Sequence, residues 1–212
     1  LNEKPMKMNM LESVKKYGLY TLLLGGALLT SCEEDVEAPD EENEEEVITD
    51  VTLIFTNTAD ATDVVTASAE DPDGAGVQEL EIQDEITLTS GATYTLTYEI
   101  LNGLDPSDVE DIGEEIEEED DEHQFFYSFT DGAFSDPTGD GNVDDASDPI
   151  NYEDSDDDGN PVGLETIWTA GDPLTGGTFT TILKHQPDVK TATSGSNDGE
   201  TDFNLEFVLN IQ

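Results

Sequence analysis

From Val47 onward, apolar residues recur at every second position, and this period limits the chain to a sheet-built fold. The stretch Phe203, Leu205, Phe207, Leu209 and Ile211 has Asn, Glu, Val and Asn at the intervening positions. Side chains alternate across a strand, so such a run has one face for a core and one for solvent. Val51, Leu53 and Phe55 repeat the pattern, as do Val64, Val65 and Ala67, and then Tyr94, Leu96, Tyr98 and Ile100. A third strand, with Leu80, Ile82, Ile86 and Leu88, is interrupted near Asp84. Further strands are expected over His123 to Phe129, Glu165 to Thr169 and Thr178 to His185, with a short one near Ile150 to Tyr152. Turns rich in Gly, Pro and Asp separate them, including Asn57 to Asp60, Asp71 to Gly76 and Ser90-Gly91. Eight or nine short strands predict an all-β, immunoglobulin-like antiparallel β-sandwich over residues 47–212.

One short helix is expected. Asp105-Pro106-Ser107 reads as its start, Ser107 to Glu110 has capping-box spacing, and Val109, Ile112 and Ile116 form the apolar stripe. The acids of Glu114 to Glu122 should end it.

The segment before this domain is of a different kind. Read from a start at Met6 or Met8 (Met10 is the other candidate), it has Lys7, Lys15 and Lys16, then thirteen mostly apolar residues from Tyr17 to Leu29. That length fits a secretory signal and falls short of the ~20 residues needed to span a bilayer. Leu29-Thr30-Ser31-Cys32 has the form of a lipobox, which predicts a signal peptide over 1–31 and lipidation at Cys32. Cys32 is the only cysteine, so its acylation leaves no thiol for catalysis, a disulfide or zinc. Ten of the fifteen residues 32–46 are acidic, and the segment reads as an extended, lipidated tether. The same acids fit a signal for export to the cell surface.

Charge narrows the range of partners. Two lysines, Lys184 and Lys190, follow Cys32 against 51 acids, a formal charge of −49, and the chain has no arginine. Nucleic acid is excluded, because binding it requires cations that displace phosphate counterions. So dense an anionic surface suits high salt or abundant divalent cations.

Three groups carry candidate chemistry. Asp154-Ser-Asp156-Asp-Asp158-Gly159-Asn160, with Glu165 at the twelfth position, has the spacing of an EF-hand calcium loop, although Pro161 and Gly163 suit an acidic hairpin turn equally. Asp140, Asn142 and Asp144 make a weaker version. The two histidines, His123 and His185, both stand at strand ends with apolar parity. With Glu122 and Asp202 as carboxylate partners they would suit a transition metal, and two imidazoles alone would suit a haem iron. The alternative is two half-buried histidines paired with neighbouring acids. Trp168, Tyr152 and Phe134 are candidates for a sugar platform, Trp168 also for the core. No nucleophile elbow, zinc-protease helix or phosphate loop is present, so a non-catalytic protein is expected.

The lipobox and acidic tether are followed by Glu46-Val-Ile-Thr-Asp-Val-Thr-Leu, Asp121-Glu-His-Gln-Phe-Phe-Tyr127 and Asp158-Gly-Asn-Pro-Val-Gly-Leu164. Thr181-Ile-Leu-Lys-His-Gln-Pro187 and Gly199-Glu-Thr-Asp-Phe-Asn-Leu205 complete the series. This order resembles small flavobacterial (Bacteroidetes) surface lipoproteins commonly labelled type 1 periplasmic-binding-fold superfamily proteins. The resemblance implies an outer-membrane, surface-exposed location and an accessory role in TonB-dependent uptake, beside a TonB-dependent receptor. Its label implies a two-domain α/β fold, against which the strand periodicity argues. The expected function is a binding module for a metal ion or metal complex. The alternative is a calcium-stabilised structural or adhesive module that binds carbohydrate or protein.

Overall fold

The computed structural model describes residues 46–71 and 79–212. Cys32, the leader, the tether up to residue 45 and the turn over 72–78 lie outside the described residues.

Among the described residues, eleven strands form two packed sheets, accompanied by one helix. In the larger sheet, β1 (Asp50–Asn57) lies between β2 (Val64–Glu70) and β5 (Thr93–Asn102). It continues from β5 through β9 (Thr166–Ala170) to β8 (Phe134–Asp136). The two-residue strands β3 (Glu81–Ile82) and β6 (Glu110–Asp111) add to β2 and β5. The smaller sheet has the order β4 (Ile86–Leu88), β11 (Glu200–Ile211), β10 (Leu174–His185), β7 (His123–Phe129). The all-β sandwich expected from the two-residue period is thus the fold.

Some details differ from expectation. The strand broken near Asp84 is two strands in different sheets: β3 pairs with β2, and β4 runs parallel to β11. The sandwich is therefore not wholly antiparallel. The helix α1 is shorter and later than predicted, at Ile112–Glu118. Asp105 uses its carboxylate on the amide and hydroxyl of Ser107, so that segment is a turn. The true cap is Asp111, which accepts from the Glu114 amide, and Ile112 and Ile116 are the buried pair while Val109 is 51% exposed. The predicted strand over 150–152 is a single bridge from Tyr152 to Thr166. Among the described residues no helix is long and apolar enough to cross a membrane.

The core lies between the sheets and is mainly aromatic. Trp168 sits edge-on to Phe179 and Tyr127 at 5.1 Å each, and Phe55 meets Phe179 at 5.7 Å. A buried hydroxyl chain crosses it: the Tyr98 hydroxyl lies 2.8 Å from Thr181 Oγ1 and donates to the Tyr127 hydroxyl at 3.1 Å. Burial pushes both tyrosine pKa values upward, so both stay protonated.

The outer edge of β7 is covered by residues 140–162. The amides of Phe125 and Phe129 donate to Val162 and Asp140, and that of Tyr127 donates to Asn142 Oδ1. At Gly141 (φ 103°) a Cβ would fall 2.1 Å from the Tyr127 carbonyl, so only glycine allows the loop this close.

Candidate metal centre

The inward face of the β7–β10 pair is aromatic and aliphatic along most of its length and ends in nitrogen. Phe125, Tyr127 and Phe129 on β7 alternate inward, and Phe179, Thr181 and Leu183 do so on β10. The antiparallel register pairs His185 directly with His123, so both rings continue that face at the same level. They stack with centroids 4.7 Å apart and planes 7° from parallel. His123 is fully buried and His185 is 6% exposed. The sequence places the two histidines at strand ends and leaves their separation open; the pairing of β7 with β10 brings them side by side.

Carboxylates surround them. Glu46 Oε1 lies 3.2 Å from His123 Nε2, and Glu122 Oε2 lies 3.4 Å from His185 Nε2. These are ion-pair distances without hydrogen-bond alignment: neither Nε2 has an aligned partner among the described residues. His123 Nδ1 lies 3.1 Å from the Glu119 carbonyl, which can only accept. The Nδ1 proton is therefore fixed there, and the neutral ring carries its lone pair on Nε2, inside the cluster. A backbone carbonyl orienting the distal nitrogen is the arrangement that metal-binding imidazoles use.

The charges are coupled. Burial alone lowers the His123 pKa, but the Glu46 contact and charge, the Glu119 carbonyl and the Asp202 charge together hold it above the ordinary imidazole value. Burial raises Glu46, but the His123 contact and charge, its own backbone amide and the His185 charge together leave the carboxyl below its ordinary value.

Two sets of side chains bring donor atoms within 4.8 Å of one another and share a residue: Glu46, His123 and His185, and Glu119, Glu122 and His185. Tetrahedral ligation with bonds of about 2.0 Å places donors ~3.3 Å apart, and the His123–Glu46 and His185–Glu122 pairs stand at 3.2 and 3.4 Å. Sequence reasoning named His123, His185, Glu122 and Asp202, of which the first three fall in these sets and Asp202 does not. It assigned Glu46 to the tether, whereas the Glu46 side chain is 6% exposed against His123 and belongs to the domain. Glu119 was read only as one acid among many. Asp202 falls where the β10–β11 register slips between Leu183 and Lys184, and both its carboxylate oxygens are buried, with a charge that His123 feels.

The calcium-spaced loop is arranged differently from an EF-hand. Asp154 accepts the amides of Gly163, Leu164 and Glu165, and Asp156 accepts those of Asp158 and Asn160. The ammonium of Lys190 stands 3.1 Å from Asp156 Oδ2, with both side chains almost fully buried. The carboxylates at the first and third positions thus serve an acidic hairpin turn, in which Asp158 and Glu165 are exposed. Asp154 and Glu165 border an open groove of ≈430 Å³ beside α1, lined also by Glu114 and Glu117. Of the second acidic loop, Asn142 caps β7, while Asp140 and Asp144 join Asp148 in a solvent-facing group. The sugar-platform aromatics face inward: Trp168 and Phe134 are buried, and the Tyr152 hydroxyl donates to the Phe125 carbonyl.

No family model, curated protein or solved structure matches this chain. Fold and site together define an all-β sandwich with a buried two-histidine, carboxylate-rimmed cluster at one end of its core.

Proposed function

We propose that this protein is a non-catalytic metal-binding module, lipid-anchored through Cys32 to the outer membrane and exposed at the cell surface. It binds a borderline divalent ion such as zinc, copper or nickel and passes it to a TonB-dependent receptor. The observation that carries this reading is the stacked His123–His185 pair, with both Nε2 atoms facing carboxylates at ion-pair distance. Two nitrogens and one or two carboxylate oxygens favour such ions over calcium or magnesium, which take oxygen alone. Parallel rings on adjacent strands suit one ion; a haem needs its two axial ligands on opposite faces of a macrocycle. The lipid anchor, surface location and receptor rest on the lipobox and on the resemblance to flavobacterial lipoproteins.

The test is titration of the chain from Cys32 onward, carrying Cys32→Ala, with zinc and cobalt. Saturable binding is expected, with nitrogen-dependent cobalt absorption bands. At a ligand concentration one hundred times Kd, binding adds about 2.7 kcal/mol of stability. A His123→Ala/His185→Ala variant that binds as well as the parent would overturn the reading.

A further inference from the structure

We propose that the ion reaches its buried seat through an outer position made by Glu119 and Glu122, and that His185 belongs to both positions and hands the ion inward. The inference rests on the metal-binding reading. The two donor sets overlap only at His185. They also differ in exposure: Glu119 is exposed and Glu122 half-buried, whereas His123 is fully buried and the Glu46 side chain nearly so. The sets therefore form a gradient from solvent to core, with the shared imidazole between them. His185 is itself 94% buried, and its Nε2, 3.4 Å from Glu122 Oε2, has no aligned hydrogen-bond partner among the described residues.

The mouth is held in place by its backbone. The Glu119 carbonyl faces His123 Nδ1 and also accepts the Glu122 amide at 2.9 Å. The Glu122 carbonyl accepts the Gln186 amide at 2.6 Å, next to His185. Lys190 donates to the Asp120 carbonyl. Both outer carboxylates thus project from a turn anchored on each side of the site.

A hydrated divalent ion cannot enter a buried nitrogen site with its water shell intact. Exposed carboxylates replace the first waters at little cost, since they remain partly solvated. His185 then replaces the next, and transfer to His123 and Glu46 completes dehydration. No bond of the protein is made or broken beyond ligand exchange, and the proton on His123 Nε2, when present, leaves to solvent as the ion arrives.

The test is stopped-flow mixing of cobalt with the Cys32→Ala chain from Cys32 onward, following the absorption of the bound ion. Glu119→Gln/Glu122→Gln is compared with Glu99→Gln/Glu206→Gln, which removes the same charge from exposed positions elsewhere. An on-pathway outer position predicts that association and dissociation rates both fall about tenfold in the first variant, relative to the control. Equal association rates in the two variants would overturn the proposal. A rise in dissociation rate alone would do so too, since it makes these residues ligands of the final seat. If the parent chain binds no cobalt, the metal-binding reading fails before this one.

Discussion

Replacing Lys190 with methionine tests whether the acidic 154–165 turn depends on an internal cation. In the native fold the ammonium lies 3.1 Å from Asp156 Oδ2, with the two side chains 2% and 1% exposed, and it also reaches the Asp120 carbonyl. Burial works against the Asp156 charge, but Asn160 and Lys190 reverse this and hold its pKa below the usual carboxylate range. Removing one partner of a buried ion pair typically costs about 3–5 kcal/mol, because the remaining charge is left in a poor solvent. Asp156 keeps its bonds from the Asp158 and Asn160 amides and from Asn160 Nδ2, so the lower end, ~3 kcal/mol, is expected. For a domain of this size that is a fall in Tm of roughly 6–12 °C. The pH dependence has a definite sign. A depressed folded pKa gives stability that is present above the unfolded value and lost as pH falls through the folded one, so Lys190→Met should flatten the acid limb of the Tm profile. Lys190→Met/Asp156→Asn should regain part of the loss. A single variant within ~0.5 kcal/mol of the parent by urea melting would refute this account. In the metal-free parent, calcium should give no saturable rise in Tm that depends on Asp156, because a lysine holds the seat that a calcium reading would give to the ion.

Gly199 has φ +72°, and a Cβ there would fall 2.1 Å from the His185 carbonyl; Gly199→Ala should cost at least about 1–2 kcal/mol and weaken cobalt binding, measured by thermal melting and titration. Trp168→Ala should cost about 3–5 kcal/mol, because a fully buried ring packed against Tyr127, Phe129, Phe134 and Phe179 is removed; a loss under ~1 kcal/mol would contradict that packing. Glu46→Gln should act on pH dependence in two ways. The raised His123 pKa gives stability that is full below about pH 6.5 and lost as pH rises through the folded value, and the lowered Glu46 pKa gives stability present above about pH 4.5 and lost below its folded value. The variant should therefore lose metal-free stability mainly between those limits, and its metal binding should begin at lower pH because His123 gives up its proton more easily. Raising salt from about 0.1 M to about 1 M shortens the Debye length from ~10 to ~3 Å and should raise Tm; a flat response would mean that self-repulsion does not limit this fold.

What could be read from the residues depended on whether a period carried it. β11 alternates along its whole length, and its inner face is that of Phe203 to Ile211. The break at Asp84 was visible, but nothing local says that Ile82 and Ile86 serve opposite sheets, since sheet membership is set by long-range pairing. The helix was misplaced because two acid-led caps stand six residues apart, and only packing of Ile112 and Ile116 selects Asp111 over Asp105. Phe134 stood alone among acids and turn residues, so β8 gave no periodic sign. At the site, strand-end parity located both histidines, and the antiparallel register of β7 with β10 joined them. Glu46 had no such mark. It is one of three consecutive glutamates, distinguished only by standing just before the first strand, and the fold alone sets it against His123.

On the proposed reading, the distribution of charge accounts for a metal seat that is buried. The two lysines of the described residues are both interior: Lys184 is 4% exposed with its ammonium on Thr201, and Lys190 is clamped on Asp156. The described surface therefore offers acids with no exposed lysine or arginine among them, and its field concentrates any cation, sodium and calcium included. Attraction of that kind cannot discriminate, since every exposed carboxylate presents the same hard oxygen. Selectivity for a borderline ion must come from nitrogen, and nitrogen placed where the crowd of hydrated hard cations cannot follow without losing water. His123 and His185 meet both conditions, and the carboxylates nearest them are held by the turn after α1 and by the residue that leads into β1. On the proposed reading, the anionic surface supplies ions and the stacked imidazoles choose among them.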